Sequence, residues 1–533
     1  MPSLKIGLLH LAIAHKEPET NRQQLLAYCR EAGERGMQLV VTPELSISGY
    51  SFSGQTDVAP YAETEEGPTL RAVSAICREY SMFACIGMAE QDLYSSILYN
   101  TAFVIDPQGD IVCRYRKMNA EFSWACPGDP YEDNTFLTPW GRVGVLICSD
   151  CYHSLMPRVT ALRGANLLLV PTNWPPVGGL DPLEVWRVRA MENGISVAVC
   201  NRTGLDATLD CRKATSALVS ARGAVQLKKV ARTSRMVKAS IPLNREGKMK
   251  GGQRLKQLAH RDRRQMQACC LNRTGIGDFS ALLQLPQAGQ LKLYCHCPDQ
   301  ETGLLPVLKE IEASGQVADV LHVLPPGVYE DTDIHGLRVW CAATGQKVVL
   351  IRERKSSETL YWFDGKESPR SRPWDSVNGC ANEEPPVFNC GTARVHILPG
   401  RGMHHPEMFL ASAKKGADLA LVFNRVYNEK LCLLGGARTI EQSAVILSTP
   451  NGAGIWLTPE GHQRWQEVLA APGEHCTVIL DTTRSRKKRF QDRIDYRTLL
   501  LEPEKNIERI SARSCSPYRS SFSDGMRIPG EQV

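Results

Sequence analysis

No stretch of the 533-residue sequence approaches the roughly 20 consecutive apolar residues that a membrane-crossing helix requires. Excess positive charge is also scarce. The 63 Lys and Arg against 57 Asp and Glu leave +6, which suits solubility and argues against a dedicated nucleic-acid binder. The 19 cysteines lack any framework spacing, so free and mostly buried thiols are expected rather than disulfides. Two tight clusters exist, Cys148-Ser-Asp-Cys151 and Cys295-His-Cys297. Neither has a second ligand pair at metal-site spacing, so no metal is expected. An export signal is lacking too: the apolar start is short, is interrupted by His10, and runs into His15 and Lys16 rather than a small-residue cleavage site. These absences predict a soluble, cytoplasmic protein.

What is present is the composition of a globular chain, 43% hydrophobic and 23% charged, long enough for two or three domains. The first 240 residues alternate short apolar runs with helical patterns. Strands are expected at Leu4–Leu11, Leu39–Glu44, Met82–Met88, Gly144–Cys148, Leu167–Val170 and Ser196–Cys200. Asn100–Ile105 and Ile111–Arg116 read as a hairpin around Asp106-Pro-Gln-Gly109. Helices are expected at Asn21–Arg35, where Leu25, Leu26, Cys29 and Ala32 share a face, at Thr69–Tyr80 and at Trp186–Asn193. Such alternation predicts a layered α/β architecture. A basic arm from Lys248, with Arg261–Arg264 beyond it, reads as a solvated extension packing on a neighbouring subunit.

The second half repeats the first. Ala393-Arg-Val-His-Ile-Leu-Pro-Gly400 lies over Gly141-Arg-Val-Gly-Val-Leu-Ile-Cys148, and Gly416-Ala-Asp-Leu-Ala-Leu-Val-Phe lies over Gly164-Ala-Asn-Leu-Leu-Leu-Val-Pro in the same register. Ala437-Arg-Thr-Ile-Glu-Gln442 resembles Val188-Arg-Ala-Met-Glu-Asn193, and Leu291-Lys-Leu-Tyr matches Leu4-Lys-Ile-Gly. Four matches in one order predict a duplication. The expected division is 1–270, a linker at 271–289, a second copy at 290–502 and a disordered tail at 503–533.

Three segments of the first half converge on one chemistry. Pro43-Glu44, Tyr115-Arg-Lys117 and Ile147-Cys148-Ser-Asp150 each close an apolar strand, and residues just past strand ends line the crevice of an α/β sheet. A thiol is only a few per cent thiolate at neutral pH, so a neighbouring carboxylate, Glu44, is needed to take its proton. Lys117 and the backbone N–H of Ser149 would stabilise the resulting oxyanion, a donor of this kind being worth about 10²–10³ in rate.

Together with Arg158, Gly164-Ala-Asn-Leu and Glu192-Asn193, these segments resemble the nitrilase superfamily of carbon–nitrogen hydrolases over roughly residues 5–243. The resemblance implies a four-layer α-β-β-α sandwich, a Glu44, Lys117, Cys148 triad and no cofactor. The chain departs from the family twice. Phe-Pro-Glu often follows the nucleophile, whereas His153-Ser-Leu155 stands here. A second glutamate often follows the lysine by eight or more residues, and here the candidate, Glu121, follows by four. Glu121 is assigned to positioning the lysine and the second-step water. Tyr50, Trp124, His153, Asn173 and Trp174 are the candidates for the substrate pocket, with Arg202 behind them.

The second half lacks this equipment: Gly400 occupies the nucleophile position, and Leu324-Pro-Pro-Gly327 has no carboxylate where Glu44 would be. The Lys117 region falls around Arg370–Trp374. His405-Pro-Glu407 keeps the Pro-Glu that the first half lost. The resemblance further implies pairing through helical faces, so an internal pseudo-dimer is expected, with further homo-oligomers open. The expected activity is hydrolysis of a small-molecule amide, nitrile or N-carbamoyl compound, with acyl transfer to an amine as a variant. The alternative is an inactive binding or scaffolding protein.

Overall fold

The computed structural model describes residues 2–261, 283–298, 320–355, 357–365, 369–376, 378–379 and 385–488. The expected tail, residues 262–264 of the basic arm and residues 271–282 of the expected linker lie outside the described residues.

Four six-stranded sheets form the framework. The first runs Arg235–Pro242, Ser3–His10, Leu39–Val41, Phe83–Gln91, Leu98–Ile105, Ile111–Arg116. The second runs Val225–Val230, Thr215–Val219, Ser196–Asn201, Leu167–Thr172, Gly141–Val145, Thr135–Thr138. The third repeats the connectivity of the first: Glu474–Asp481, Gln290–Cys297, Val320–Val323, Lys347–Arg354, Ser357–Phe363, Arg370–Trp374. The fourth repeats that of the second: Gln466–Ala470, Gly452–Leu457, Ala444–Thr449, Leu419–Phe423, Ala393–Pro399, Val387–Cys390. In each sheet the central pairings are parallel and the outer ones antiparallel. The Arg370–Trp374 strand occupies the sheet position that Ile111–Arg116 holds in the first half.

Alternation along the strands sends one set of side chains between the sheets and the other under helices. Ile6, Leu8, Val41, Cys85 and Val104 meet Val143, Val145, Leu169 and Val199 in the central core. Leu9, Val40, Ile86 and Phe103 face the opposite way, against Leu25, Cys29 and Ala32 of helix Pro18–Glu34 and Val73, Ile76 and Cys77 of helix Pro68–Tyr80. The spacing of Leu25, Cys29 and Ala32 puts all three on one face, and burial of the largest of them, Leu25, contributes roughly 1.5–3 kcal/mol. On the far side of the second sheet lie helices Leu155–Leu162 and Pro182–Asn193. The layers are therefore α-β-β-α.

The same two helices carry the contact with the second half. Val185, Val188 and Met191 pack with Phe409, Leu431, Leu434, Ala437 and Trp465. Tyr152 Oη donates to the Gly461 carbonyl at 3.1 Å. The ion pairs Arg187–Glu429 (2.9 Å), Arg464–Glu184 (3.2 Å) and Arg158–Glu407 (3.3 Å) cross the same boundary. Among the described residues no helix is long and apolar enough to cross a membrane.

Two expectations are corrected. The strand expected to reach Cys148 ends at Val145, and Cys148–Cys151 forms a tight 3-10 turn. The basic arm, expected to be a solvated extension packing on a neighbouring subunit, packs within its own chain over its described part. It lies mostly on the first half and, through Arg261 Nε 2.8 Å from Glu407 Oε1, on the second. Met249 N donates to the Trp140 carbonyl at 2.8 Å. Helix Gly252–Ala259 buries Arg254 and Leu258. Arg254 Nε donates to Asn166 Oδ1 at 3.2 Å and its Nη1 to the Ala161 carbonyl at 3.3 Å. Gly194 makes this docking possible: its φ is +63°, and a Cβ there would stand 2.5 Å from the Gln253 carbonyl oxygen. The charges of the arm drew the sequence reading towards solvent, whereas its apolar residues and two arginines, Arg254 and Arg261, hold it down.

Candidate active site

Glu44 lies three residues beyond strand Leu39–Val41, Lys117 directly follows Ile111–Arg116, Cys148 lies three beyond Gly141–Val145, and Asn173 directly follows Leu167–Thr172. The two sheets face one another, so these strand ends bring the four residues together in one buried site. Cys148 has φ +47° and Leu45, next to Glu44, has φ +48°. Non-glycine residues hold the left-handed region only where their surroundings fix them, and such strain concentrates at functional sites.

Lys117 Nζ donates to Glu44 Oε1 at 2.6 Å and, on its other side, to Glu121 Oε1. Asn100 Nδ2 bridges the same two carboxylates, 2.8 Å from Glu44 Oε1 and 2.9 Å from Glu121 Oε2. The Asn173 backbone N–H donates to Glu44 Oε2 at 3.0 Å, and Asn173 Nδ2 donates to the Glu44 carbonyl at 3.0 Å. Glu44, Asn100 and Lys117 are essentially inaccessible to solvent. Glu121, whose distance from Lys117 departs from the family pattern, reaches the lysine as an i, i+4 neighbour.

The electrostatics follow from this packing. Burial pushes the Glu44 carboxyl above its ordinary range, Glu121 adds to the effect, and Lys117 and Asn100 oppose it. Burial alone would depress Lys117, but Glu121 and Glu44 outweigh it and hold the ammonium well above its usual pKa. The Cys148 thiol is driven up by burial and by the Glu44 charge, against the opposing pull of Lys117. The thiol is therefore protonated at neutral pH, beside the Glu44–Lys117 pair.

Asp150 ties the Cys148–Cys151 turn to the loop that follows Lys117. Tyr115 Oη donates to Asp150 Oδ2 at 2.7 Å, while Asn119 donates to Oδ1 through its backbone N–H at 2.8 Å and its side chain at 2.9 Å. Ser149 adds a 3.3 Å hydrogen bond from its hydroxyl to the Asn119 carbonyl. Neither Asn100 nor the anchoring role of Asp150 is legible in the sequence. The only trace of Asn100 is a buried polar residue in the apolar strand Leu98–Ile105.

The pocket candidates divide. Tyr50 lies within the field of Lys117, Glu121, Glu44 and Cys148, and burial raises its phenol pKa. Trp124 is buried in a small cluster with Leu45, Phe52 and Leu98, its ring edge-on to Phe52 at 6.3 Å. Trp174 is partly buried between Tyr152 and Trp186, with ring centroids 6.1 and 5.9 Å away. Asn173 spends its hydrogen bonds on Glu44. Arg202 is buried and paired with Asp206 at 2.9 Å. His153 lies past the turn that begins at Cys148, at the boundary between the halves, where it lines a cavity of about 540 Å³ with Tyr152, Ile440 and His462. Among the described residues no group of three or more His, Cys, Asp or Glu side chains could hold a metal ion.

The sequence model of the Carbon-nitrogen hydrolase family matches residues 5–250. A nitrilase of Pyrococcus abyssi is 32% identical over 205 residues, spanning 38% of this chain and 76% of its own length. The human omega-amidase NIT2 is 30% identical over 215 residues, spanning 38% of this chain and 75% of its own. Among solved structures, Saccharomyces cerevisiae Nit3, a member of branch 10 of the nitrilase superfamily, superposes with a TM-score of 0.41 at 22% identity, covering 46% of this chain and 91% of that one.

Proposed function

The chain belongs to the carbon–nitrogen hydrolase family of the nitrilase superfamily, and we propose that its first half is an amidase working through a thioester on Cys148. The observation that carries this reading is Lys117 held between Glu44 and Glu121, 2.6 Å from Glu44 Oε1, next to a buried thiol.

The steps follow from the protonation states. Cys148 Sγ attacks the amide carbon as Glu44 takes its proton, since a thiol kept protonated by burial needs a base at the moment of attack. Lys117 and the Ser149 N–H receive the charge that develops on the carbonyl oxygen. As the intermediate collapses, Glu44 returns the proton to nitrogen, the C–N bond breaks and ammonia leaves. Water then attacks the thioester, giving its proton to Glu44. The C–S bond breaks, the sulfur recovers the proton, and the carboxylic acid departs. Glu121 and Asn100 hold Lys117 and Glu44 in place throughout. Nitriles and N-carbamoyl compounds are the finer alternatives, since they call on the same three residues.

The second half is read as a degenerate copy, with Gly400 opening the 3-10 turn that Cys148 opens in the first half, and the two halves as an internal pseudo-dimer.

The test uses limiting iodoacetamide on the native protein, with peptide mass spectrometry of every cysteine in wild type and Glu44→Gln, alongside an ammonia-release screen of small amides, nitriles and carbamoyl compounds. Preferential labelling of Cys148, slowed in Glu44→Gln, with ammonia released from amides, is the expected result. A Cys148 no faster than the other thiols, with no ammonia from any class, overturns the reading and leaves a binding protein.

A further inference from the structure

The turn Cys148–Cys151 holds the nucleophile in a left-handed conformation, and two of the carbonyls at its end are fixed by one side chain. Arg189 Nε donates to the Cys151 carbonyl at 2.8 Å and Arg189 Nη2 to the Tyr152 carbonyl at 2.5 Å. Arg189 is itself oriented by Glu192, its Nη1 lying 2.7 Å from Glu192 Oε1. The remaining oxygen of Glu192 accepts from Arg438, which belongs to the second half. Arg189, Glu192 and Arg438 are all fully buried. A buried carboxylate of this kind is stable only with both oxygens paired. Burial pushes Glu192 up, but Arg189 and Arg438 outweigh it and keep it ionised.

Arg438 is no accident of the boundary. In the repeat, Ala437-Arg-Thr-Ile-Glu-Gln442 lies over Val188-Arg-Ala-Met-Glu-Asn193, so Arg438 is the counterpart of Arg189 and Glu441 that of Glu192. The half that has glycine where the nucleophile belongs has kept the arginine that faces the working site. Its helix Glu429–Arg438 is seated by Leu434 and Ala437 in the shared core.

From this chain of contacts we propose that Arg438 is a positioning residue for the nucleophile turn, acting through Glu192 and Arg189, and that the second half is thereby a built-in activator of the first. The proposal rests on the assignment of Cys148 as nucleophile. Loss of Arg438 frees one oxygen of Glu192, lets Arg189 swing, and relaxes the turn that aims Cys148 Sγ and the Ser149 N–H. Substrate binding needs neither, so kcat carries the loss.

The experiment uses the full chain as wild type, Arg438→Gln, Arg438→Lys and Arg187→Gln, the last breaking an exposed ion pair of the same boundary that has no link to the turn. Each protein is checked for native circular dichroism and elution volume. Then kcat and KM on an amide that wild type hydrolyses, and the alkylation rate of Cys148, are measured. Arg438→Gln is expected to lower kcat about 10–100-fold, the scale of a reacting group misplaced by about 1 Å, with KM nearly unchanged and alkylation slowed. Arg438→Lys recovers part of the loss, and Arg187→Gln behaves as wild type. Native Arg438→Gln with wild-type kcat and alkylation overturns the proposal, as does an equal loss in Arg187→Gln, which would mean a generally loosened boundary. If Arg438→Gln is not recovered folded, Glu192→Gln decides, because it keeps the shape and one acceptor: native protein with unaltered kcat overturns the relay. Wild type that neither releases ammonia nor labels first at Cys148 overturns the amidase assignment instead.

Discussion

Lys117 Nζ stands 2.6 Å from Glu44 Oε1, and neither side chain has more than 2% of its surface exposed. Each charge alone would be expensive at that depth, and the pair is tolerable because Asn100, Asn173 and Glu121 satisfy what the ion pair leaves over.

Removing the cation therefore has a thermodynamic consequence apart from catalysis. Lys117→Met leaves Glu44 and Glu121 facing one another through Asn100 alone. Urea denaturation at pH 7 is expected to show a loss of about 3–5 kcal/mol, the usual scale for stranding a buried charge. The loss shrinks in acid, where one carboxyl takes up a proton.

Cys148→Ala removes the proposed nucleophile and little else. Ammonia release is expected to fall by about 10⁴-fold or more, while the urea midpoint stays near wild type. Retention of activity would transfer the nucleophilic role to another group.

The pH profile follows from Glu44. Its pKa is raised, so the base is protonated and idle up to a pH above the ordinary carboxylate range. The acid limb of kcat/KM is expected there. Asn100→Leu withdraws a hydrogen bond that favours the carboxylate form, which raises the pKa further and moves the limb to still higher pH.

A second pH effect concerns stability. Burial would raise the Glu407 carboxyl, but Arg158 and Arg261 outweigh it and hold the pKa down to about 2 against an ordinary 4.5. Between those values the unfolded chain binds the proton and the folded one does not, so stability falls as pH falls through this window. The contribution is on the order of 3 kcal/mol, and Glu407→Gln is expected to abolish that part of the acid dependence in denaturation curves taken from pH 6 to pH 2.

Much of the site was legible because Glu44, Lys117 and Cys148 each follow an apolar run, and an apolar run locates its own end. Asn100 was not, since one polar residue inside a strand carries no information until its partners across the sheet are known. His153 is close to Cys148 in sequence, but the 3-10 turn Cys148–Cys151 lies between them and carries His153 to the boundary between the halves. The basic arm was misjudged because net charge says nothing about which arginines, here Arg254 and Arg261, find buried acceptors.

The sequence by itself determined the α/β alternation and placed Glu44, Lys117 and Cys148 at the ends of strand segments, which are local patterns. Tertiary structure decided what holds those residues: Asn100 and Asn173 on Glu44, Glu121 on Lys117, and Arg438 reaching from the second half to Glu192. Hydrogen bonds and ion pairs between distant segments depend on distances of a few ångströms, and such distances exist only once the sheets have closed on each other and the halves have docked.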